Sequence, residues 1–327
     1  MLEARMPMYP AALAVAALIA MGTAAGASAQ AYPTKPIRIV VPFAPGGPND
    51  ILARLVGQHL TQSWGPQVIV DNRPGAGTVI GTDLVAKSPP DGYTLLVAST
   101  TTATNPSLVK KLPYDTLRDF SPVILMAQSP NVLAVHPSLP AKTVRELIAV
   151  AKSRPRQVAF GSGGNGTSTH LAGEILRMHA GVDMVHVPYK GATPSLVALL
   201  SGEVSWLFGS ILPVLPHLKT GRLHALAVSS IAPVAVLPGV PPVAQTFPGF
   251  EASPWHGISA PANTPRDIVM KLNQEIARIM NEPQTRERLS REGTEVIANS
   301  PEQFEKFMRA EVEKFAKVIK AAGIQAQ

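Results

Sequence analysis

The stretch that most constrains this chain is Ile37-Arg38-Ile39-Val40-Val41-Pro42-Phe43-Ala44-Pro45-Gly46-Gly47-Pro48-Asn49-Asp50, together with the apolar run that follows it. Ile37 to Val41 is short and β-branched, the pattern of a buried strand. Pro42, Pro45 and Pro48 bracket Gly46-Gly47, so the strand must stop and turn there. Leu52, Leu55, Val56, Leu60 and Trp64 then share one helical face, and Gly65-Pro66 ends the helix. A strand, a Gly-Gly turn and a helix start form a cradle for an anion, because free N–H groups and the positive end of the helix dipole point at one spot. The same residues also suit an ordinary turn that needs glycine for its backbone angle.

The remaining chain repeats the theme. Val68 to Val70, Tyr93 to Ala98, Gln157 to Phe160, Met184 to Val187, Val204 to Phe208 and Leu223 to Ser229 read as strands alternating with helices, which predicts parallel βαβ units in open sheets. Val123 to Ala127 and Val132 to Val135 are strands with no helix between them, and Trp255 to Ala260 is a returning strand. Connections near 130 and 255 predict a two-lobed α/β protein with a discontinuous first domain, 30–130 and 254–327, and a second domain, 131–253. Ser99 to Asn105 reads as a polar segment at a strand's carboxyl end, either a ligand contact or a solvated loop. Thr143 with Glu146, and Ser300 with Gln303, mark helix starts, and Pro283 is read as lying just past a helix end.

Residues 1–29 read as a signal peptide: Arg5, an apolar run from Ala11 to Met21, then Ala27-Ser28-Ala29 before Gln30. The expected location is therefore the periplasm, with cleavage near Ala29/Gln30. The 327 residues include no cysteine, which excludes disulfides, thiol catalysis and Cys–metal sites. The net charge of +7 comes from scattered cations with no basic run, so nucleic acid is a poor partner.

Most catalytic chemistry is absent from the pattern. Gly161-x-Gly163-x-x-Gly166 matches a dinucleotide fingerprint, but the next strand ends Val187-Pro188-Tyr189-Lys190 without the expected acid, so no cofactor is expected. No Gly-Lys-Ser/Thr and no nucleophile elbow occur, and the eight histidines include no metal-binding pair. Asp50 and Asp71 sit where helix starts and turns favour a carboxylate. His170 reads as a first-turn polar residue of a helix. With no nucleophile–base pair evident, the chain reads as a binder and not an enzyme.

Tyr32-Pro33-x-Lys35-Pro36-Ile37, Val41-Pro42-Phe43-Ala44-Pro45-Gly46-Gly47, Asn72-Arg73-Pro74-Gly75-Ala76-Gly77 and Pro90-Asp91-Gly92-Tyr93-Thr94-Leu95 resemble the Bug family, the extracytoplasmic solute-binding proteins of tripartite tricarboxylate transporters. Leu112-Pro113-Tyr114-Asp115, Gly161 to Thr167, Val187 to Gly191 and Ala260-Pro261-x-x-Thr264-Pro265 extend the likeness over the mature chain. The resemblance implies a Venus-flytrap fold that closes on a small carboxylate held by backbone amides and waters. It places Ala44, Pro45, Gly46 and Gly47, with Asp50 beside them, on one side of the cleft. Ser162, Gly163, Thr167 and Ser168 fall on the other, with Thr101, Asn105, Tyr189 and Gly209 as further walls. Many members carry Asp where this chain has Gly209, which argues against an amino-bearing ligand. The implied partners are a di- or tricarboxylate or related acid and the integral membrane subunits of the transporter. The alternative reading is a ligand sensor docking on the periplasmic domain of a signalling kinase, and a periplasmic hydrolase is a third.

Overall fold

A computed structural model describes residues 32–189 and 191–324; the expected signal peptide and Lys190 lie outside the described residues. In chain order the elements are β1 (Ile37–Val41), α1 (Pro48–Trp64), β2 (Val68–Asn72), α2 (Val79–Ala86), β3 (Thr94–Ser99), α3 (Thr100–Leu108), β4 (Phe120–Gln128) and β5 (Asn131–Val135). Next come α4 (Val144–Ser153), β6 (Ala159–Ser162), α5 (Ser168–Ala180), β7 (Val185–Pro188), α6 (Ala192–Ser201), β8 (Trp206–Ser210), α7 (Ile211–Lys219) and β9 (His224–Val228). The chain ends with β10 (Trp255–Pro261), α8 (Arg266–Asn281), α9 (Pro283–Arg291), β11 (Glu295–Val296) and α10 (Pro301–Ala321).

The strands form two sheets, ordered β11-β4-β10-β3-β1-β2 and β7-β6-β8-β5-β9. Both are mixed. β1 pairs in parallel with β2 and β3, but β10 runs antiparallel to β3 and β4. In the second sheet β6 is parallel to β7 and β8, while β5 is antiparallel to β8 and β9. The sheets are mostly parallel, as expected, with β10, the returning strand, and β5 reversed, and the crossover accounts for β5. β4 ends at Gln128 and β5 starts at Asn131, opposite Ser210, the last residue of β8. A strand that enters a sheet at the carboxyl edge of its neighbours has to run against them.

That geometry fixes where the two sheets meet. Only Ser129 and Pro130 separate β4 from β5, so the carboxyl edges of both sheets lie against the same junction. The return path runs beside it: the Ser129 N–H donates to the Pro254 carbonyl at 2.8 Å, and Ser229 and Asn131 exchange bonds of 2.8 and 2.9 Å.

Each sheet is covered on its apolar faces. Leu133, Phe160, Trp206, Phe208 and Leu226 build one core of the second sheet, while Val132, Ala134 and Leu207 alternate onto its other face, where Leu199 of α6 joins them. Around the first sheet Val40, Leu96, Leu125, Trp255, Phe304 and Phe315 are buried together, and Leu171 of α5 joins that core. From Lys35 onward the chain forms one unit.

Two segments differ from expectation. Thr100 to Leu108 is a helix, started by a reciprocal bond pair between Ser99 and Thr102. Pro283 begins α9, the next helix, where a proline's missing N–H has no cost. Thr143 does cap α4, but Glu146 reaches one residue further back, accepting from the Lys142 N–H at 2.6 Å.

Candidate functional site

Between the carboxyl edges lies a cavity of about 610 Å³, walled by residues from both sheets. A groove of similar volume, about 580 Å³, runs beside Tyr114–Asp119 but belongs to the first sheet's side alone. The cavity between the sheets is the one the sequence pattern addresses, because Phe43 to Pro48, the segment after β1, forms its first wall with Ile51 and Leu52.

The wall is a braced arch. Gly46 holds φ at +87°, a left-handed angle that glycine takes without strain. Asp50 spans the arch from below: its carboxylate accepts from the Gly46 N–H at 2.9 Å, from Arg54 Nε at 3.0 Å and from Asn72 Nδ2 at 2.9 Å. Asn72 also donates to the Phe43 carbonyl at 3.1 Å. Burial by itself pushes the Asp50 carboxyl up, but the Arg54 guanidinium with the Gly46 and Asn72 donors holds it below the usual carboxylate range. Asp50 is thus buried beneath the arch and serves as its brace; it is absent from the cavity wall. With the Gly46 N–H used internally, the donors left on this side include the first-turn N–H groups of α1 at Asn49 and Asp50.

The opposite wall is made by Ala192 and Thr193 at the start of α6 and by Ser210 to Pro213 at the start of α7. Three helix N-termini therefore open on one cavity. None of the three has a side-chain cap, a condition that α2, α8 and α9 share, whereas α4, α5 and α10 are capped by Thr143, Thr167 and Ser300. Leu289, Glu292, Gly293 and Thr294, at the end of α9, complete the lining, and Ser129 and Pro130 form its base. Ser129 Oγ lies 3.0 Å from Thr294 Oγ1 and 3.1 Å from His256 Nε2, and His256 Nδ1 lies 2.8 Å from Asn49 Oδ1. Burial pushes His256 down to about 4, so a neutral imidazole ties the start of α1 to the crossover.

Of the expected residues, Ala44, Pro45, Gly46 and Gly47 line the cavity, and Gly209 lies in β8 one residue before the wall begins. Thr101 and Asn105 support the turn before α2. Thr101 Oγ1 lies 3.3 Å from Thr78 Oγ1, and the buried Asn105 amide donates to the Gly77 carbonyl, Thr78 Oγ1 and the Tyr114 hydroxyl. Tyr189 turns its hydroxyl to Glu203, at 2.8 Å, near the amino end of β8, and burial with that partner raises it to about 12. Burial and the nearby carboxylate both disfavour the phenolate.

The Gly loop of the second sheet bonds largely to itself. The Gly163 N–H donates to Thr169 Oγ1, Gly164 N–H to Ser162 Oγ, Gly166 N–H to His170 Nδ1, and the Thr167 hydroxyl to the Gly164 carbonyl. Ser162 and Gly163 are therefore struts of the loop, while Thr167 caps α5 and leaves the N–H of Ser168 in its first turn. One pairing escaped sequence reading: Ser162 Oγ lies 2.6 Å from His186 Nε2. It has nucleophile–base geometry, but Ser162 is fully buried, and its hydroxyl is held by the loop. The His186 ring stacks on His170 at 3.8 Å and on Phe160 at 4.9 Å. Burial, with the neighbouring His186 and Arg177 charges adding, lowers His170 to about 3; burial with Arg177 lowers His186 to about 4. Both are neutral parts of the loop's foundation.

The profile of the family described as "Tripartite tricarboxylate transporter family receptor" matches residues 52–324. Protein BugT of Bordetella pertussis is 38% identical over 305 residues, 92% of this chain and 94% of that protein. Among solved structures, "R. palustris Rpa4515 with adipate" is 35% identical with a TM-score of 0.82, covering 90% of this chain and all (100%) of that one. The periplasmic binding protein BugD is 33% identical with a TM-score of 0.79, covering 90% and 100%. These relatives are solute-binding proteins and not enzymes, in keeping with a Ser–His contact sealed inside a loop.

Proposed function

The chain belongs to the tripartite tricarboxylate transporter receptor family, a family of periplasmic binding proteins, and on that premise we propose that it captures a small carboxylate between its two sheets and delivers it to the membrane subunits of such a transporter. The single observation that carries the reading is the cavity on which α1, α6 and α7 open without side-chain caps. A ligand carboxylate supplies the missing caps, directly or through bridging waters, and needs no buried arginine. Helix-end charge effects reach roughly 2 kcal/mol in favourable partly buried geometry, so several ends acting together suit a micromolar binder, about −8 kcal/mol.

In this reading residues 30–130 with 254–327 act as one lobe and 131–253 as the other. They hinge at the paired crossovers, Ser129-Pro130 and Ser253-Pro254. Closure buries the ligand and presents the surface that the transporter reads. The adipate held by the R. palustris protein supports a carboxylate as the ligand class. Cleavage of the signal peptide near Ala29/Gln30 and release into the periplasm belong to the same proposal.

A thermal-shift screen of the mature protein, stripped of co-purified ligand, against mono-, di- and tricarboxylates tests it. A ligand at about 100 times its dissociation constant adds roughly 2.7 kcal/mol and moves the midpoint by several degrees. Absence of a shift with every carboxylate overturns the reading.

A further inference from the structure

The cavity joins polar backbone to apolar side chains. Among the described residues that line it none carries a positive charge, and the polar side chains are those of Ser129, Thr193, Ser210, Glu292 and Thr294. Three of these are already engaged. Ser129 and Thr294 hold each other at 3.0 Å, Ser129 also holds His256 at 3.1 Å, and Glu292 is bridged to Arg288 at 3.5 Å. Thr193 and Ser210 stand at the starts of α6 and α7, beside the N–H groups proposed for the carboxylate. The larger side chains are hydrocarbon, and they come from both sheets' elements: Phe43, Ile51, Leu52 and Leu289 from the first, Ile211 and Leu212 from the second. Of the large apolar side chains left exposed among the described residues, Leu212 alone lines this cavity, while Ile211 and Val214 of the same helix are buried in the second sheet's core. Leu212 is 47% exposed, so nearly half of it meets water unless something apolar covers it.

We propose that the cavity takes acids with a hydrocarbon body, which Ile51 of α1 and Leu212 of α7 cover while the carboxylate caps a helix start. Such a body touches walls from both sheets at once, so each added methylene takes apolar surface of ligand and protein out of water. A hydroxylated body of the same length gives up its own water and finds most of the polar side chains taken, which costs free energy. The inference rests on the carboxylate-binding reading above and narrows it to a ligand class.

Butyrate, hexanoate and octanoate, with gluconate as a hydroxylated six-carbon acid, test it by titration calorimetry on the stripped full-length mature protein and on Leu212→Ser. Affinity is expected to rise roughly threefold to fourfold per methylene from butyrate to hexanoate, with an increasingly negative heat-capacity change. Gluconate is expected to bind roughly tenfold or more weakly than hexanoate. Leu212→Ser is expected to lower the gain per methylene, whereas Ile231→Ser, which removes a 66% exposed isoleucine outside the cavity, leaves it unchanged. Where the thermal screen selects a branched or aromatic skeleton, the same series adds methyl groups to it. Affinity that does not rise with added methylenes, or any hydroxylated acid as tight as its hydrocarbon counterpart, overturns the inference and leaves the carboxylate reading standing. A slope that Leu212→Ser leaves unchanged, or that Ile231→Ser lowers equally, does the same. A protein that binds none of these acids and no other carboxylate in the screen loses both.

Discussion

Two adjacent glycines in the arch do different jobs. A Cβ on Gly46 meets no atom within 4 Å, but its φ of +87° strains any L side chain; Gly47 has an ordinary backbone and equally open space around it. That open space is the cavity. Gly47→Val is therefore expected to keep the melting temperature within a degree or two while weakening carboxylate binding by roughly tenfold or more, read by calorimetry. Unchanged affinity removes the first loop from the site. The buried histidines predict acid sensitivity. His186 and His256 are lowered to about 4 and His170 to about 3, so the unfolded chain binds more protons below pH 6.5. Their contribution is complete above that pH and falls as pH drops toward 4, by up to about 1.4 kcal/mol per pH unit for each histidine. Denaturant midpoints measured from pH 7 to 5 check this, and a flat profile contradicts it. At this scale the sequence was legible where backbone chemistry decides: Gly46-Gly47 announces its turn and its place at the cavity. It was silent on Ser162 and His186, because 24 residues separate them and only the β6–β7 pairing brings them within 2.6 Å.

Elements with an apolar face were plain in the sequence. α10 shows Phe304, Phe307, Met308, Phe315 and Ile319 at helical spacing after Ser300-Pro301, and the structure has it from Pro301 to Ala321 with both capping bonds in place. Ser300→Ala is expected to cost about 1 kcal/mol, measured by urea unfolding. α3 and α9 were hidden for opposite reasons. Thr100-Thr101-Thr102-Ala103-Thr104-Asn105 has low helix propensity and is held helical by burial and the Ser99 cap. α9 is dominated by polar and charged side chains, with Thr285 and Leu289 alone buried, so no apolar stripe marks it. That omission mattered, since α9 delivers Glu292 to the cavity. Strand direction was legible in part: Trp255 to Ala260 reads as a returning strand, but β5 reads like its neighbours, and only the route of the chain reverses it.

For the whole molecule, two runs of strands with changes near 130 and 255 were readable, and the strands divide between the two sheets at those points, but the contacts that join the sheets were not. Leu171, on a helix that follows the second sheet's Gly loop, is 1% exposed within the first sheet's core. Gly166 nearby leaves room for Leu108, whose Cδ1 would sit 2.3 Å from an added Cβ. Leu171→Ala is expected to cost about 2–5 kcal/mol in chemical unfolding, because the cavity it leaves is lined by both halves. A loss well under 1 kcal/mol would show that the contact is dispensable. The order of the strands also sets an order of assembly. Every strand of the second sheet lies between Asn131 and Val228, whereas β10, which separates β3 from β4 in the first, begins only at Trp255. A chain emerging amino end first completes its second sheet while the first is still two unjoined fragments, β2-β1-β3 and β4. The strand made late is the keystone of the sheet begun first, and the arch at Gly46 gains its final support only when that keystone arrives with His256.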